Sequence, residues 1–262
     1  MRAAWFNPRE PSIARVYDWL LGGKNSFPAD REEAERLLGI YPPLGNRLRE
    51  NRLFLASAVT WLARQGIRHF LDLGSGLPTA GNTHQIAQAA DPGCQVVYVD
   101  NDPMVASHAA ALLADGRGVA AAEADLADPA AILAGPQVRQ LIPPGQPCAV
   151  ILAMVLHFFD ADTAAGIAAD YASRVAAGSY LVVSCGSGDE RTGGTLAREY
   201  KPAMLRNHPP GQIGRFFAGL ELISPPGLVD ARAWQPGVPV APPSAHGGHV
   251  LAGIARKQEA RP

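Results

Sequence analysis

Five apolar runs that alternate with helical stretches constrain the fold of this chain more than any other feature of its sequence. Continuous apolar runs of this length are typical of strands that are buried on both faces of a sheet. Strands that alternate with helices along a chain indicate parallel crossovers. The sequence therefore predicts an α/β fold with a mostly parallel central sheet, whose first five strands lie in residues 67–73, 94–100, 118–124, 149–156 and 180–185.

The C-terminal part of the chain has a different pattern. Segments 220–224 and 228–234 are strand-like, a proline-rich loop follows them, and a last strand is predicted over 249–257. Because late strands without a helix between them do not easily form a right-handed parallel crossover, we expect an antiparallel pair at the sheet edge. With this pair the predicted sheet has seven strands, and the last of them is antiparallel.

The residues ahead of the first strand show helical periodicity. One face of a first helix is apolar, and Gly22-Gly23 is expected to end that helix. A longer helix is predicted to end at Gly66. We therefore expect one structural domain in two parts: a helical segment over residues 1–66, packed on the core as a lid or cap, and a core over residues 67–262.

A glycine turn follows the first predicted strand. The turn DLGSGLP supplies Asp72, Gly74 and Gly76, and glycine lets a backbone approach a ligand closely because it has no Cβ. Asp100 ends the next strand, 24 residues beyond Gly76, where a carboxylate accepts hydrogen bonds from both hydroxyls of a ribose. The order and spacing of these residues predict a nucleotide site at the carboxyl ends of the strands.

The third predicted strand ends at Asp125 and Leu126, which suit the exocyclic amine and the ring face of an adenine. In the glycine turn Pro78 follows the second glycine, and the next helix begins only near Asn82. Dinucleotide folds open that helix earlier and place a pyrophosphate on its N-terminus. The longer loop therefore favours a ligand without a pyrophosphate, such as S-adenosylmethionine, over NAD, although an NAD-dependent oxidoreductase stays an alternative.

Several segments resemble one known family. RVYDWLLGGKNSFPADRE, ENRLFL, GIRHFLDLGSGLPTAGNTHQIAQ, VVYVDNDP and LHFF, in this order, are similar to an actinobacterial family first catalogued as a domain of unknown function and classed as S-adenosylmethionine-dependent methyltransferases. The resemblance covers nearly the whole chain. It implies the Rossmann-like class I methyltransferase fold, with a seven-stranded sheet, and it does not supply a substrate.

The resemblance also implies roles for individual residues. It assigns the methionine half of the cofactor to Asp72, Gly74 and Gly76. It assigns the ribose to Asp100, with Asn101 beside it, and the adenine to Asp125 and Leu126. It places three residues after the fourth strand near the sulfonium and the methyl group: Ala153, Met154 and His157.

Methyl transfer from a sulfonium has a good leaving group, so positioning can supply much of the rate. A general base is needed only where the acceptor must lose a proton, and His157 is the first candidate for it. His84, in the first turn of the helix after the glycine loop, is expected to contact the cofactor or cap backbone. No cysteine pair or Cys/His cluster has zinc spacing, so no metal site is predicted.

The segment YDWLLGGKNSF has more features than a helix end requires. We hypothesise that it folds over the cofactor as a lid, with Tyr17, Asp18, Lys24 and Asn25 facing the pocket. The alternative is a surface helix with a glycine C-cap and a solvated lysine. Between strands five and six, a segment supplies candidate substrate contacts or, alternatively, a solvated helix face: Tyr200, Arg206, His208 and Arg215.

The formal net charge of −1 and the lack of a basic stripe argue against nucleic acid or an anionic membrane as partner. The chain also lacks the [DN]-Pro-Pro-[FYW] motif of amino-methylating nucleic-acid enzymes, which favours a small-molecule acceptor. Without a signal peptide or a spanning apolar run, a cytoplasmic location is expected. The leading interpretation is an S-adenosylmethionine-dependent methyltransferase. The alternative is a catalytically silent protein that binds the cofactor or its product S-adenosylhomocysteine, as a sensor or partner subunit.

Overall fold

The computed structural model describes residues 7–78, 81–105, 107, 117–224, 226–240 and 248–259. A central sheet of eight strands organises this part of the chain. The strands are β1 His69–Leu73, β2 Gln95–Asp100, β3 Val119–Glu123, β4 Ala149–Ala153, β5 Tyr180–Gly188, β6 Glu221–Leu222, β7 Val229–Asp230 and β8 Gly248–Arg256.

The strand order is β3-β2-β1-β4-β5-β8-β6, and β7 also pairs with β8. Strands β1 to β5 are mutually parallel, whereas β8 runs antiparallel to β5, β6 and β7. The α/β class and the antiparallel last strand agree with the sequence prediction. The sheet has one strand more than expected because Val229 and Asp230 pair with Ala252 and Leu251 before the chain turns into a short 3₁₀ helix at Ala231–Ala233.

Helices cover both faces of the sheet. Strand order reverses between β1 and β4, so a crevice opens there at the carboxyl ends of the strands. The described α-helices are α1 Ile13–Leu20, α2 Pro28–Ile40, α3 Leu44–Arg64, α4 Thr83–Ala90, α5 Pro129–Ala134, α6 Pro136–Leu141, α7 Ala161–Arg174, α8 Thr195–Glu199 and α9 Pro210–Arg215. One face packs against α3 and α4, and the other packs against α5, α6, α7 and α9.

The helix ends in the structure can be compared with the capping signals in the sequence. The capping box of Asn82 and Gln85 is present at the start of α4. Asp162 is also a candidate cap in the sequence, but α7 begins at Ala161 because the Asp160 side chain accepts the backbone N–H groups of Asp162 and Thr163. Asp102 followed by Pro103 predicts the start of a further helix, most of which lies outside the described residues. Within the described part of the chain, no helix is long and apolar enough to cross a membrane.

The N-terminal helices pack in two different ways. Helices α1 and α2 form a small cap with its own apolar cluster, which includes Val16, Leu20 and Leu37. Helix α3 instead packs its apolar face directly on the sheet, with Phe54 and Leu62 almost fully buried. A lid or cap therefore corresponds to α1 and α2, whereas α3 is a layer of the core. The division of the chain at residue 66 stays a prediction.

The Gly22-Gly23 pair ends α1 for a specific reason. Gly22 has a φ of 88°, a left-handed conformation that favours glycine. A Cβ on Gly23 would lie 2.2 Å from the carboxylate atoms of Asp18. That buried carboxylate accepts the backbone N–H of Asn25 at 3.0 Å. Asp18 therefore closes the turn between α1 and α2, and it does not face the pocket as the lid hypothesis expected.

Candidate active site

A cavity of about 400 Å³ opens at the carboxyl ends of β1 to β4, beneath α1. Its volume lies within the usual range of small-molecule sites. The structure brings together ten of the residues that the sequence predicted for a cofactor. They are Tyr17, Asp72, Gly74, Gly76, Asp100, Asn101, Asp125, Leu126, Ala153 and Met154.

Three predicted cofactor residues lie outside the described lining of this cavity. Lys24 is exposed, and Asn25 belongs to the turn that Asp18 closes. His84 instead packs against Tyr98: its backbone N–H donates to the Tyr98 hydroxyl at 2.8 Å, and its Nδ1 lies 2.8 Å from the same oxygen. Local hydrogen bonds of the turn and of the helix end hold Asn25 and His84 outside the described lining, so cofactor contacts by these residues stay a prediction.

Asp72 supplies a buried carboxyl to the cavity. Thr83 Oγ1 donates to Asp72 Oδ2 at 2.6 Å, and the guanidinium of Arg52 lines the same cavity. Burial raises the pKa of Asp72 to about 6, against the opposing influence of the Thr83 hydrogen bond and the charge of Arg52. The site therefore offers a carboxyl that ionises more readily once a cation binds beside it.

The glycine turn and Asp100 form one hydrogen-bonded unit. The Gly74 N–H donates to the Val99 carbonyl at 2.7 Å, and the Gly76 N–H donates to Asp100 Oδ2 at 2.8 Å. Asp100 Oδ1 accepts the N–H of Asp102 at 3.0 Å. Burial raises the pKa of the Asp100 carboxyl. This carboxylate thus fixes the shape of the turn as well as lining the cavity.

Two residues of α3 and one from the chain ahead of α1 complete the cavity, and the sequence interpretation missed all three. Asn51 Nδ2 donates to the Tyr17 hydroxyl at 3.1 Å, and Asn51 Oδ1 accepts from Ser184 Oγ at 2.6 Å. Arg52, the next residue, donates to the Gly81 carbonyl at 2.8 Å. Ser12 Oγ donates to Asp102 Oδ2 at 3.1 Å and so ties the start of α1 to the loop after β2. The motif ENRLFL contained two of these residues, but its helical pattern alone gave no sign of which face met a ligand.

Met154 has a backbone conformation that is rare for a residue with a side chain. Its φ is 57°, and in the described chain the other residues with positive φ are glycines. The Met154 N–H donates to the Ser184 carbonyl at 2.9 Å, which holds the residue in place. Strain of this kind is concentrated at functional sites in proteins. In this protein the strained residue, Met154, lies at the boundary between two cavities.

The second cavity measures about 130 Å³ and adjoins the first. Four residues line both cavities and form their shared wall: Ile13, Tyr17, Met154 and Phe158. Most of the second lining is apolar, with contributions from α1, α2, α3 and α8. Tyr200 and Arg206 lie in it, as the sequence proposed for substrate contacts. The other two candidates are engaged elsewhere: His208 Nε2 lies 3.0 Å from the Phe159 carbonyl, and Arg215 pairs with Asp162 at 2.7 Å.

His157 lines the second cavity on the short 3₁₀ helix Leu156–Phe158. It is buried, and the Gly186 N–H lies 3.5 Å from its Nδ1. Burial, with the nearby His208, lowers the pKa of His157 to about 3. A group with so low a pKa is a weak base near neutral pH. His157 therefore lines the second cavity, and its lowered pKa disfavours the role of general base, which stays a prediction.

The described residues contain no group of three or more histidine, cysteine or acidic side chains that could hold a metal ion. The polar side chains that line the second cavity include those of Tyr41, Arg47 and His249. His249 comes from the start of β8, which no motif had singled out.

Comparison with known proteins shows which family this chain belongs to. Residues 3–258 match a family model described as S-adenosyl methyltransferase. The chain is similar to a methyltransferase candidate from Thermobifida fusca, with 41% identity over 96% of each chain and a TM-score of 0.87. It is also similar to a DUF574 family protein from Streptomyces avermitilis, with 36% identity over 95% of this chain and 98% of that one, and a TM-score of 0.86.

The fold extends to more distant proteins. The chain shares 16% identity with the magnesium protoporphyrin IX methyltransferase of Synechocystis, solved with bound S-adenosylmethionine, over 97% of this chain and 99% of that one, with a TM-score of 0.52. At this identity the likeness concerns the fold alone. A search of curated proteins returned no match.

Proposed function

We propose that this chain, which belongs to the S-adenosyl methyltransferase family and is an S-adenosylmethionine-dependent methyltransferase, acts on a small acceptor with a largely apolar body. One observation carries the proposal: a polar cavity and an apolar cavity meet at a shared wall of Ile13, Tyr17, Met154 and Phe158. The first suits the cofactor and the second suits the acceptor. The family assignment favours turnover over silent binding and gives no support to an NAD-dependent oxidoreductase.

The polar cavity fits the amino acid end of S-adenosylmethionine by charge. Asp72 supplies a carboxyl for an ammonium group, and Arg52 supplies a guanidinium for a carboxylate. A buried carboxyl and a guanidinium in one cavity match a zwitterion better than a single ion. This pairing supports the assignment of Asp72, Gly74 and Gly76 to the methionine half of the cofactor.

The other end of the cavity fits a nucleoside. Asp100, with Asn101 beside it, would accept hydrogen bonds from ribose hydroxyls, and Asp125 would accept from an adenine amine. The apolar side chains of Leu126 and Phe159 line the cavity and would cover the faces of a base. When bound, the cofactor supplies an activated methyl group on a sulfonium. Met154 and Ala153 would lie near that group at the shared wall.

The residues of this chain then orient the acceptor and exclude water. The apolar lining from α1, α2 and α8 would surround the acceptor body, which favours an apolar over a charged molecule. The Tyr17 hydroxyl, held by Asn51, stands where the two ligands would meet. Holding both reactants in one orientation is the main contribution that we assign to the protein.

Cofactor affinity should depend on pH through Asp72. In the protein without cofactor, the Asp72 carboxyl has a pKa of about 6, and a cation bound beside it favours the ionised form. Below that pH the carboxyl must lose its proton before it can pair, so we expect affinity to fall by about tenfold per pH unit there and to level off above. Calorimetric titration between pH 5 and 8 measures this. Asp72→Asn should bind weakly at every pH, and an unchanged pH profile in that variant would contradict the assignment.

The acceptor cavity can be narrowed without touching the cofactor cavity. Gly186 lines the second cavity, and a Cβ there would lie 3.9 Å from His157 Nδ1, which is ordinary contact. We expect Gly186→Ala to raise the KM for the acceptor by about ten- to a hundredfold, the usual effect of one methyl group in a fitted pocket. S-adenosylmethionine affinity should not change. Gly166→Ala on the exposed side of α7 is the matched control.

A direct test combines binding with turnover. Purified protein is titrated calorimetrically with S-adenosylmethionine and S-adenosylhomocysteine, and then incubated with S-adenosylmethionine and single-ring phenols, amines, thiols and carboxylic acids. Mass spectrometry follows a gain of one methyl group. Methylation of a small apolar compound supports the proposal. Methylation of DNA, RNA or protein with none of the small molecules would contradict it.

A further inference from the structure

A run of hydrogen bonds ends at the wall that the two cavities share. The Met154 N–H donates to Ser184 Oγ at 3.2 Å, and Ser184 Oγ lies 2.6 Å from Asn51 Oδ1. Asn51 Nδ2 lies 3.1 Å from the hydroxyl oxygen of Tyr17. Because Ser184 is the register partner of Ala153, the last residue of β4, the run lies beside the carboxyl end of that strand.

The donors and the distances give this run one direction. A backbone N–H only donates, so Ser184 Oγ accepts from Met154, and its own proton is available to Asn51. The separation of 2.6 Å is typical of an O–H···O bond, whereas 3.1 Å suits an N–H···O bond. With the Asn51 amide turned over, the buried hydroxyl of Ser184 would lose its acceptor, which costs free energy. Asn51 therefore donates to the oxygen of Tyr17.

The Tyr17 hydroxyl keeps its proton for a ligand. Its oxygen accepts from Asn51, and no residue in the described part of the chain accepts its proton. Burial raises the pKa of Tyr17, so the hydroxyl stays protonated at neutral pH. Other polar side chains of the second cavity are engaged within the protein. The Tyr41 hydroxyl donates to a backbone carbonyl at 3.0 Å, and His249 Nδ1 lies 2.8 Å from Asp230 Oδ2.

The shared wall supplies a hydrogen-bond donor but no base. None of its four residues has a side chain that takes up a proton near neutral pH. In the first cavity, Asp72, Asp100 and Asp125 are assigned to the cofactor, and in the second cavity the pKa of His157 is about 3. An acceptor that reaches the wall already ionised needs no base.

We propose that the Tyr17 hydroxyl donates to the acceptor atom and that this atom is a carboxylate oxygen, which makes the product a methyl ester. This inference rests on the proposed function of the two cavities. One lone pair of the carboxylate oxygen accepts from Tyr17, and another forms the bond to the methyl carbon. The methyl–sulfur bond breaks, and its electron pair stays on the sulfur of S-adenosylhomocysteine. No proton is transferred.

The chemistry of the donor favours a carboxylate over other acceptors. A neutral amine has one lone pair, which a hydroxyl donor would occupy, and sulfur is a weak hydrogen-bond acceptor. A phenol retains its proton at neutral pH, whereas a carboxyl group has lost it. The negative charge strengthens the hydrogen bond from Tyr17 and attracts the carboxylate to a sulfonium. Because the rest of the lining is mostly apolar, the acceptor is an acid with an apolar body.

The test compares two probes of similar size that differ in the group at the reacting atom. Benzoate and aniline are titrated calorimetrically, at neutral pH, into protein saturated with S-adenosylhomocysteine. We expect the wild type to bind benzoate more tightly than aniline. Tyr17→Phe removes only the hydroxyl and should weaken benzoate binding by at least about tenfold, the usual effect of a hydrogen bond to a charged group, without changing aniline binding. Ser184→Ala allows the Asn51 amide to turn over and should cause a smaller loss of benzoate affinity.

The controls separate this role from other roles of the same residues. Tyr180→Phe removes a hydroxyl at the amino end of β5, outside both cavity linings, and should leave both affinities unchanged. Arg206 also lines the second cavity and offers a carboxylate another partner. Benzoate binding that is weakened by Arg206→Gln and not by Tyr17→Phe would overturn the inference. Tyr17→Phe that weakens binding of S-adenosylhomocysteine but not of benzoate would also overturn it, because the hydroxyl would then serve the cofactor.

Failure of the inference differs from failure of the proposed function. If the wild type binds aniline more tightly than benzoate, the acceptor class is wrong and the cavity assignment stands. That comparison decides even if Tyr17→Phe does not fold. If S-adenosylhomocysteine binds but no small compound is bound or methylated, the acceptor cavity itself is wrong.

Discussion

Gly74→Ala is expected to lower the free energy of unfolding by about 2–4 kcal/mol, from a left-handed backbone and a steric overlap together. Gly74 has a φ of 62°, and a Cβ there would lie 2.4 Å from Cγ1 of Val155. Val155 is buried and β-branched, so its side chain cannot rotate away freely. Chemical denaturation at neutral pH, monitored by circular dichroism, measures the loss.

Gly76 provides the matched control. Its φ is 66°, similar to that of Gly74, but nothing lies within 4 Å of a Cβ built there. Gly76→Ala should therefore cost only about 1 kcal/mol, from the backbone conformation alone. Adding Val155→Ala to Gly74→Ala should restore part of the loss, since the double variant removes the overlapping methyl group. Equal losses for Gly74→Ala and Gly76→Ala would show that the contact with Val155 is unimportant.

The second large effect concerns Asp100. We expect Asp100→Ala to weaken S-adenosylmethionine binding by at least about 100-fold, or about 2.7 kcal/mol. The substitution removes the acceptor for the N–H groups of Gly76 and Asp102 as well as the proposed acceptor for the ribose hydroxyls. The cofactor would lose a direct contact, and the turn that surrounds it would lose its shape. Calorimetric titration of the folded variant with S-adenosylmethionine measures the change.

Asp91→Ala is the matched control for Asp100→Ala. Asp91 also accepts the N–H of a nearby glycine, Gly93, at 2.8 Å, but it lies at the opposite end of the sheet, between α4 and β2. Binding by this variant should equal that of the wild type. Normal binding by Asp100→Ala would contradict the ribose assignment and would leave the carboxylate with a purely structural role in the glycine turn.

Much of the cofactor cavity was predictable because its parts are local in sequence. A glycine turn, an acid after β2 and an acid after β3 each follow a strand that is recognisable by its apolar run. The parallel arrangement then brings Gly74, Asp100 and Asp125 to the same edge of the sheet. Neither the number of strands nor the position of β8 inside the sheet changes that argument.

The site residues that the sequence pattern did not predict reach the site through contacts between elements that are distant in the chain. Asn51 and Arg52 reach the cavity because α3 packs on the sheet, and a helical pattern does not say which polar residues meet a ligand. Lys24 and His84 were expected in the site, but a turn and a tyrosine hydroxyl determine their positions. His249 and Asp230 pair because β7 lies beside β8. Strand β7 has only two residues, and so short a strand cannot be recognised from the sequence pattern.

Helix α1 has a consequence for the timing of the reaction. Its residues Ile13 and Tyr17 form part of the wall of both cavities, and Ser12 attaches its start to the loop after β2. Moving this helix away from the sheet would uncover both compartments in one motion. Release of the two products by this route would break the same contacts, among them the hydrogen bonds of Ser12 with Asp102 and of Tyr17 with Asn51.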